Sequence, residues 1–140
     1  MAKSVENQRT YAIVGTAGCG KTSLAEALFF QTGVINRLGK SEEGTTVMDY
    51  EPEEVKRHGS IQPGFGQYTW KGETHFMIDA PGDGNFLGDL DLLLTAVDGV
   101  VFVIDAVDGV RPLTKRIWQS VKKMGLPTLV YINKMDRDRA

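Results

Sequence analysis

The chain has 140 residues, a length that suits one domain and is too short for two ordinary ones. Its 16 Lys and Arg residues against 18 Asp and Glu residues give a formal net charge of -2, which excludes a strongly basic nucleic-acid-binding surface and a highly charged disordered tail. With 41% hydrophobic residues the chain can bury a real core, and its single cysteine, Cys19, excludes a disulfide framework and a multi-cysteine zinc site and indicates a reducing compartment.

The first predicted elements are a buried strand and a helix. Residues 11–14 form a short apolar run that ends in glycine, which predicts the strand. From Lys21 onward the spacing becomes helical, and Gly33 stands where a helix would stop. The residues at helical spacing are Leu24, Ala27, Leu28 and Gln31. Residues 34–60 show no sustained period, and a loop this long in a compact domain is usually functional or disordered.

A hairpin is predicted after this loop. Residues 68–70 are expected to pair with residues 74–78 around a short turn that contains Gly72. Gly64 and Gly66 weaken the first strand of the hairpin, which therefore suits the edge of a sheet.

The second half of the chain predicts two helices and two buried strands. Residues 86–96 and 112–124 have helical patterns, whereas residues 100–104 and 128–132 are apolar runs of strand length. Strands that alternate with helices predict an α/β fold with a mostly parallel, doubly wound sheet and helices on both faces, formed by a single domain over residues 1–140. Its ligand should lie at the carboxyl ends of the strands.

A phosphate-binding loop is predicted between the first strand and the first helix. The motif is Gly15-Thr16-Ala17-Gly18-Cys19-Gly20-Lys21-Thr22, followed by Ser23, and its strand–helix context is the one the pattern requires. Its glycines let successive backbone N–H groups face a β-phosphate, and the helix N-terminus adds the positive end of a dipole. Lys21 would reach the β- and γ-phosphates, and the Thr22 hydroxyl would bind Mg²⁺. The alternative is a glycine-rich turn that binds nothing.

A magnesium site is predicted where the second hairpin strand ends. The sequence there is Asp79-Ala80-Pro81-Gly82. Asp79 could hold Mg²⁺ directly or through water, and the Gly82 N–H could meet a γ-phosphate beside Pro81. Alone, these four residues would be an ordinary turn, but their place after a buried strand favours the metal site.

A third strand end predicts guanine specificity through Asn133-Lys134-Met135-Asp136. The Asp136 carboxylate can accept two hydrogen bonds from the N1–H and N2–H₂ donors of guanine, and adenine offers no such pair. Asn133 would bind another base edge and tie the loop together, while the Lys134 stem would cover the ring. As a bare tetrapeptide the run could be a polar loop.

The cysteine, the two histidines and the apolar runs give weaker indications of function than the three motifs. The inward-facing amides around Cys19 would favour a thiolate, so that reactivity is a possible second role beside packing. His58 and His75 have no partners at metal-ligand spacing. The polar start of the chain and apolar runs far shorter than the ~20 residues of a membrane span predict a cytoplasmic protein without membrane contact or direct sequence-specific nucleic-acid binding.

In this order and spacing, the three motifs resemble translational GTPases. The runs 21–28, 32–33, 44–50 and 133–137 are similar to the amino-terminal G domain of elongation factor G, and residues 44–50 are closer to the divergent, elongation-factor-G-like paralogues. The resemblance implies a P-loop NTPase fold that binds GTP or GDP with Mg²⁺ and switches conformation. It also implies hydrolysis stimulated by the ribosome.

The chain departs from this family at several positions. Gly18 replaces an acid, and a gapless register makes Ser60 the hydroxyl that would meet Mg²⁺ in the GTP state. Asp83 follows Gly82 where the family has a catalytic histidine, so the catalytic candidates are Lys21, Gly82 and Asp83 and hydrolysis should be slow. The alternative for Asp83 is a turn residue that points to solvent, which also predicts slow hydrolysis. The family's G domain continues beyond the position matching Asp136, so the resemblance implies that the last strand and helix are missing.

Three functional hypotheses follow from these motifs. The first is the GTP-binding part of a ribosome-associated GTPase of the elongation factor G type. The second is a GTP-binding regulatory module that changes shape and barely hydrolyses GTP. The third, a P-loop ATPase or small-molecule kinase, is disfavoured by Asp136.

Overall fold

A five-stranded sheet organises residues 7–40, 43–48 and 62–140, which are the residues that the computed structural model describes. The strand order is β2-β3-β1-β4-β5, with β2 antiparallel to β3 and the other neighbours parallel. The elements are β1 Gln8–Val14, α1 Lys21–Gln31, β2 Gly64–Trp70, β3 Glu73–Asp79, α2 Leu87–Leu94, β4 Gly99–Asp105, α3 Pro112–Met124 and β5 Thr128–Asn133. The predicted α/β fold with a mostly parallel sheet is confirmed.

Each face of the sheet has its own hydrophobic core, because side chains alternate along the strands. On β1, Ala12 and Val14 belong to the core shared with α2 and α3, where Leu90 and Ile117 are buried. Ile13 points to the other face, where it belongs to the core that includes Phe29 of α1. Helices therefore cover both faces, as the doubly wound pattern predicts.

The buried face of α1 is not formed by the same residues whose spacing predicted the helix. Ala25, Glu26 and Phe29 are buried, whereas Ala27 and Gln31 are exposed. Apolar residues occur all around this helix, so their spacing does not identify one face, and contacts with the sheet decide it. The helix ends at Gln31 with Thr32 as its C-cap, and Gly33 follows in a left-handed conformation with a φ of 74°, so the predicted stop at Gly33 is confirmed.

The hairpin is longer than predicted, since β2 begins at Gly64 rather than at Tyr68. Gly66 does not break this strand. A side chain there would overlap the Phe29 ring, so the glycine makes room for the packing of α1. The position of β2 at the sheet edge is confirmed.

The first predicted helix of the second half is shorter than expected. At its start, a single 3₁₀ turn, Gly84–Phe86, precedes α2. At the C-terminal end of α2, the Thr95 hydroxyl donates to the Leu92 carbonyl at 2.6 Å. By contrast, α3 has the predicted bounds, with Pro112 in its first turn and Gly125 in a left-handed conformation after its last residue.

The burial of the last two strands was predicted incorrectly. Leu129, Val130, Tyr131 and Ile132 of β5 are 39–61% exposed, because β5 is an edge strand with β4 on one side. On β4, Val101 and Ile104 are half-buried instead of fully buried. An apolar run predicts that a strand forms, but its neighbours in the sheet decide how far it is covered.

Candidate functional site

Four parallel strands place the predicted motifs at one edge of the sheet. The register pairs Ile13 with Asp79 between β1 and β3, and Asp105 with Asn133 between β4 and β5. Because the carboxyl ends of parallel strands meet at the same edge, the loop after β1 lies beside the ends of β3, β4 and β5. The structure therefore brings together the three motifs that are far apart in the sequence.

The phosphate loop leads directly into α1. Gly20 caps the helix with a φ of 100°, a left-handed conformation that favours glycine, and its carbonyl accepts the first helical hydrogen bond from the Leu24 N–H at 3.0 Å. Lys21 is buried and its ammonium donates to the Thr16 carbonyl at 3.0 Å. The first backbone N–H groups of α1 have no acceptor within the helix and point out of its N-terminus, the positive end of the helix dipole. This end of the helix therefore suits an anion.

Gly82 packs directly against the phosphate loop. The Ala17 N–H donates to the Gly82 carbonyl at 2.9 Å, and a Cβ on Gly82 would lie 2.5 Å from the Lys21 ammonium nitrogen. Only a residue without a side chain fits between these groups. The Ala17 N–H, one of the backbone amides of the predicted phosphate loop, thus ties this loop to the residues just after β3.

Thr22 and Asp79 form the candidate magnesium site. The Thr22 hydroxyl donates to a carboxylate oxygen of Asp79 at 2.6 Å, and Asp79 is 1% exposed. A hydroxyl and a carboxylate are hard oxygen donors, and Mg²⁺ in nucleotide sites commonly takes one or two such groups together with phosphates and water. This donor set fits Mg²⁺, but its binding stays a prediction.

Ser60, the other predicted magnesium ligand, lies outside the described residues, as does His58. Within residues 7–40, 43–48 and 62–140, no three His, Cys, Asp or Glu side chains are grouped closely enough to hold a metal ion by themselves. His75 stacks on Tyr68, with ring centroids 4.9 Å apart. In the same ranges no helix has the length and apolar character needed to cross a membrane.

The candidate base-binding loop is hydrogen-bonded to the phosphate loop. The Asn133 amide donates to the Cys19 carbonyl at 2.9 Å, and the Lys134 ammonium donates to the Gly18 carbonyl at 2.6 Å. A Cβ on Gly20 would overlap the Asn133 amide nitrogen, so this contact also depends on a glycine. The two loops thus form one connected surface, with Asp136 exposed beyond it.

Asp105, which was not selected as a site residue from the sequence, contacts the candidate site through Lys134. It is 5% exposed and accepts the Lys134 ammonium at 2.5 Å and the Val107 N–H at 2.9 Å. Burial raises the pKa of Asp105, but the hydrogen bonds from Lys134 and from nearby amides outweigh burial and hold this pKa below its ordinary range. An acid at the end of a buried strand is the signal that selected Asp79, and it would have identified Asp105 too.

We expect Asp105→Asn to weaken GDP binding about three- to tenfold, because Lys134 loses the ionised partner that holds it at the phosphate loop. Since the folded-state pKa is lowered, the carboxylate stabilises the fold above the ordinary aspartate pKa of about 4 and this contribution disappears as the pH falls through the lowered value. Lowering the pH from about 5 to about 3 should therefore reduce the stability of the wild type more than that of the variant, as measured by thermal unfolding.

Asp108→Asn is the matched control for this prediction. Asp108 lies three residues away and forms a more exposed ion pair with Arg111 at 2.6 Å, a kind of pair that contributes little. Equal GDP affinities and equal pH profiles for Asp105→Asn and Asp108→Asn would show that Asp105 does not position Lys134.

Cys19 has no support as a reactive thiolate. Its side chain is fully buried, and burial raises the pKa of the Cys19 thiol despite the opposing effect of the Lys21 charge. The interpretation that Cys19 could be reactive as a second role beside packing neglected this burial. Cys19 is a packing residue in the core on the α1 face of the sheet.

Asp83 begins the turn that leads into α2. Its carboxylate accepts the Asn85 N–H at 3.0 Å, and the residue is exposed. The short side chain is therefore used as a cap for the turn Gly84–Phe86. This is the turn role that the sequence left open beside a catalytic one.

Comparisons with known proteins identify related sequences and folds. The sequence model of the family described as "Elongation factor Tu GTP binding domain" matches residues 6–140. A solved structure of a protein from Thermus thermophilus is 39% identical with a TM-score of 0.88, over 94% of this chain and 20% of that one. The structure of a bacterial selenocysteine-specific elongation factor is 27% identical with a TM-score of 0.72, over 91% of this chain and 20% of that one. The chain thus spans about a fifth of each.

Proposed function

Because the chain belongs to the family of elongation factor Tu GTP binding domains, which its residues 6–140 match, we propose that it binds GTP and GDP with Mg²⁺ and hydrolyses GTP. The observation that carries the proposal is the joining of three motifs at one sheet edge. Lys21 lies on the phosphate loop, Thr22 contacts Asp79, and Asn133 and Lys134 bond to the carbonyls of Cys19 and Gly18.

Each part of this edge has a separate task in the proposal. Lys21 supplies a buried cation at the β- and γ-phosphates, while the backbone amides at the start of α1 bind phosphate oxygens. Mg²⁺, held by Thr22 and Asp79, would offset negative charge on the phosphates. Asp136 accepts hydrogen bonds from the guanine N–H groups. The bonds of Lys134 to Asp105 and Gly18 position its side chain so that its stem can cover the guanine ring.

The proposed setting is translation in the cytoplasm. One structure with the same fold is a selenocysteine-specific elongation factor, and the 44–50 run is similar to elongation-factor-G-like proteins. We infer that the ribosome is the partner that stimulates hydrolysis. The chain spans about a fifth of its solved relatives, so this activity is proposed for the whole protein of which the G domain is the GTP-binding part.

Two measurements test the proposed function. Titration with a fluorescent GDP analogue in competition with GTP and ATP should show binding that GTP displaces and ATP does not. Single-turnover GTP cleavage should then accelerate when ribosomes are added. Displacement by ATP would contradict the guanine site, and cleavage that is indifferent to ribosomes would favour the regulatory switch module with little hydrolysis.

The regulatory alternative is favoured by one observation, the use of Asp83 as a cap. Catalysis of phosphoryl transfer depends on positioning of water and on stabilisation of charge at the γ-phosphate. An aspartate adds negative charge there, and its carboxylate is bonded to the Asn85 N–H. We therefore propose that hydrolysis is slow.

Asp83→His is expected to speed single-turnover GTP cleavage on ribosomes by about tenfold or more, because an imidazole can orient water without added negative charge. The same change removes a cap, which costs about 0.5–2 kcal/mol of stability. Asp83→Ala is the control, since it removes the cap without adding an imidazole. A wild type that is already fast and is unaffected by Asp83→Ala would show that another group positions the water.

A further inference from the structure

Glu26 is a buried carboxylate that the nucleotide site does not use. It lies on α1 one helical turn after Thr22 and is 1% exposed. A glutamate is almost never fully buried unless its oxygens are paired or hydrogen-bonded, because leaving water is costly for a charge. The partners of Glu26 therefore indicate what this carboxylate does.

Both oxygens of Glu26 accept hydrogen bonds from backbone amides that follow α1. The Gly39 N–H donates to Oε2 at 3.2 Å, and the Val47 N–H donates to Oε1 at 2.5 Å. One side chain thus holds two points of the chain, which we call the Glu26-bound segment and define as residues 39–40 and 43–48. Such bonds to a carboxylate are stronger than bonds between neutral groups.

The Glu26-bound segment is closely packed around these bonds. A Cβ on Gly39 would lie 2.8 Å from Glu26 Oε2 and 2.5 Å from the Thr45 carbonyl oxygen, so any side chain there would displace one of the two. The Thr45 N–H also donates to the Lys40 carbonyl at 3.2 Å. At the far end Met48 is buried in the core that contains Phe29. The segment is therefore fixed by packing and by Glu26 together.

We propose that Glu26 is a positioning residue, which fixes the Glu26-bound segment against α1 and thereby couples the placement of this segment to the nucleotide site. The helix is the connection, since Lys21 and Thr22 occupy its first turn and Glu26 its second. The segment belongs to the long loop between α1 and β2, whose length in the sequence is typical of a functional or a disordered loop. The kinetic part of the inference rests on the proposed GTPase function, whereas the anchoring part does not.

The first test is Glu26→Gln, which keeps the shape of the side chain but places an NH₂ group opposite one of the two N–H donors. Hydrogen exchange followed by NMR should show the Gly39 or Val47 amide exchanging about tenfold faster, as expected when one charge-assisted bond is lost. GDP affinity should change by less than about twofold, while GTP cleavage on ribosomes falls about fivefold or more through misplacement of the segment.

Glu43→Gln is the matched control. Glu43 lies in the same segment, and its exposed carboxylate bonds to the Lys40 ammonium at 2.8 Å. Exchange at Gly39 and Val47 and the cleavage rate should both stay at wild-type values. Gly39→Ala is the second variant, because it displaces the segment while the buried carboxylate stays in place. It should reproduce the cleavage defect of Glu26→Gln.

Several results would overturn the inference. Unchanged exchange at both amides in Glu26→Gln would show that Glu26 does not anchor the segment. Equal losses of GDP affinity and GTP cleavage in Glu26→Gln would show that Glu26 stabilises the fold without positioning the segment. A wild-type rate of GTP cleavage in Gly39→Ala would lead to the same conclusion. If the wild type binds no guanine nucleotide, the proposed function fails, and the exchange data still decide the anchoring.

Discussion

Lys21→Ala is expected to remove most of the affinity for GDP and GTP. Lys21 is 6% exposed and lies on the phosphate loop with its ammonium 3.0 Å from the Thr16 carbonyl. Its charge is thus already held at the loop before nucleotide binds, and little side-chain entropy is lost in binding. Charge-assisted bonds contribute about 1.5–3 kcal/mol each, so the loss of bonds to two phosphates should weaken binding by about a hundredfold or more.

Isothermal titration with GDP measures this effect directly. Lys115→Ala is a suitable control, since Lys115 is exposed on α3 and its replacement removes the same charge from the chain. Thermal unfolding of both variants separates loss of binding from loss of fold. GDP affinity that stays at the wild-type value in Lys21→Ala would refute the assignment of residues 15–22 as a phosphate loop.

The second large effect is expected in recognition of the nucleotide base. Asp136→Asn should reverse the preference of the protein, so that it binds XTP more tightly than GTP. The carboxylate accepts from the guanine N1–H and N2–H₂ groups, whereas an amide presents a donor that suits the extra carbonyl of xanthine. Each unsatisfied buried group costs about 1–3 kcal/mol, so the ratio of the two affinities should change by several orders of magnitude.

Competition between GTP and XTP for the bound fluorescent analogue gives this ratio. Asp138→Asn removes an exposed carboxylate two residues further along and should leave the preference unchanged. Phosphate contacts are the same for both nucleotides, so the ratio isolates the base. A continued preference of Asp136→Asn for GTP would remove Asp136 from the guanine site.

The three motifs could be predicted from the sequence because each is a short run whose chemistry is local. A glycine-rich turn before a helix, and an acid at the end of an apolar strand, are recognised from their residue types together with the predicted element beside them. Their meeting at one edge followed from the parallel order of the strands. Both the mostly parallel sheet and the family resemblance were confirmed.

Other features depend on contacts that a local pattern does not contain. Glu26 is a polar residue within a largely apolar helix, and its burial depends on the N–H groups of Gly39 and Val47, which are 13 and 21 residues away in the sequence. Gly66 was interpreted as a residue that weakens a strand, whereas it gives room to the Phe29 ring. The exposure of β5 depends on its place at the sheet edge, which its apolar sequence does not specify.

The hydrogen bonds between the predicted phosphate loop and the loop after β5 affect whether the energies of mutations in the two loops are independent. The carbonyls of Gly18 and Cys19 accept hydrogen bonds from the side chains of Lys134 and Asn133, so a shift of the predicted phosphate loop would also move these two side chains. Energies of substitutions in the two loops should then fail to add, as they do for residues that share partners. Position 20 shows the tightest such dependence, because a Cβ there would overlap the Asn133 amide nitrogen, so a side chain at position 20 would require a compensating change at position 133.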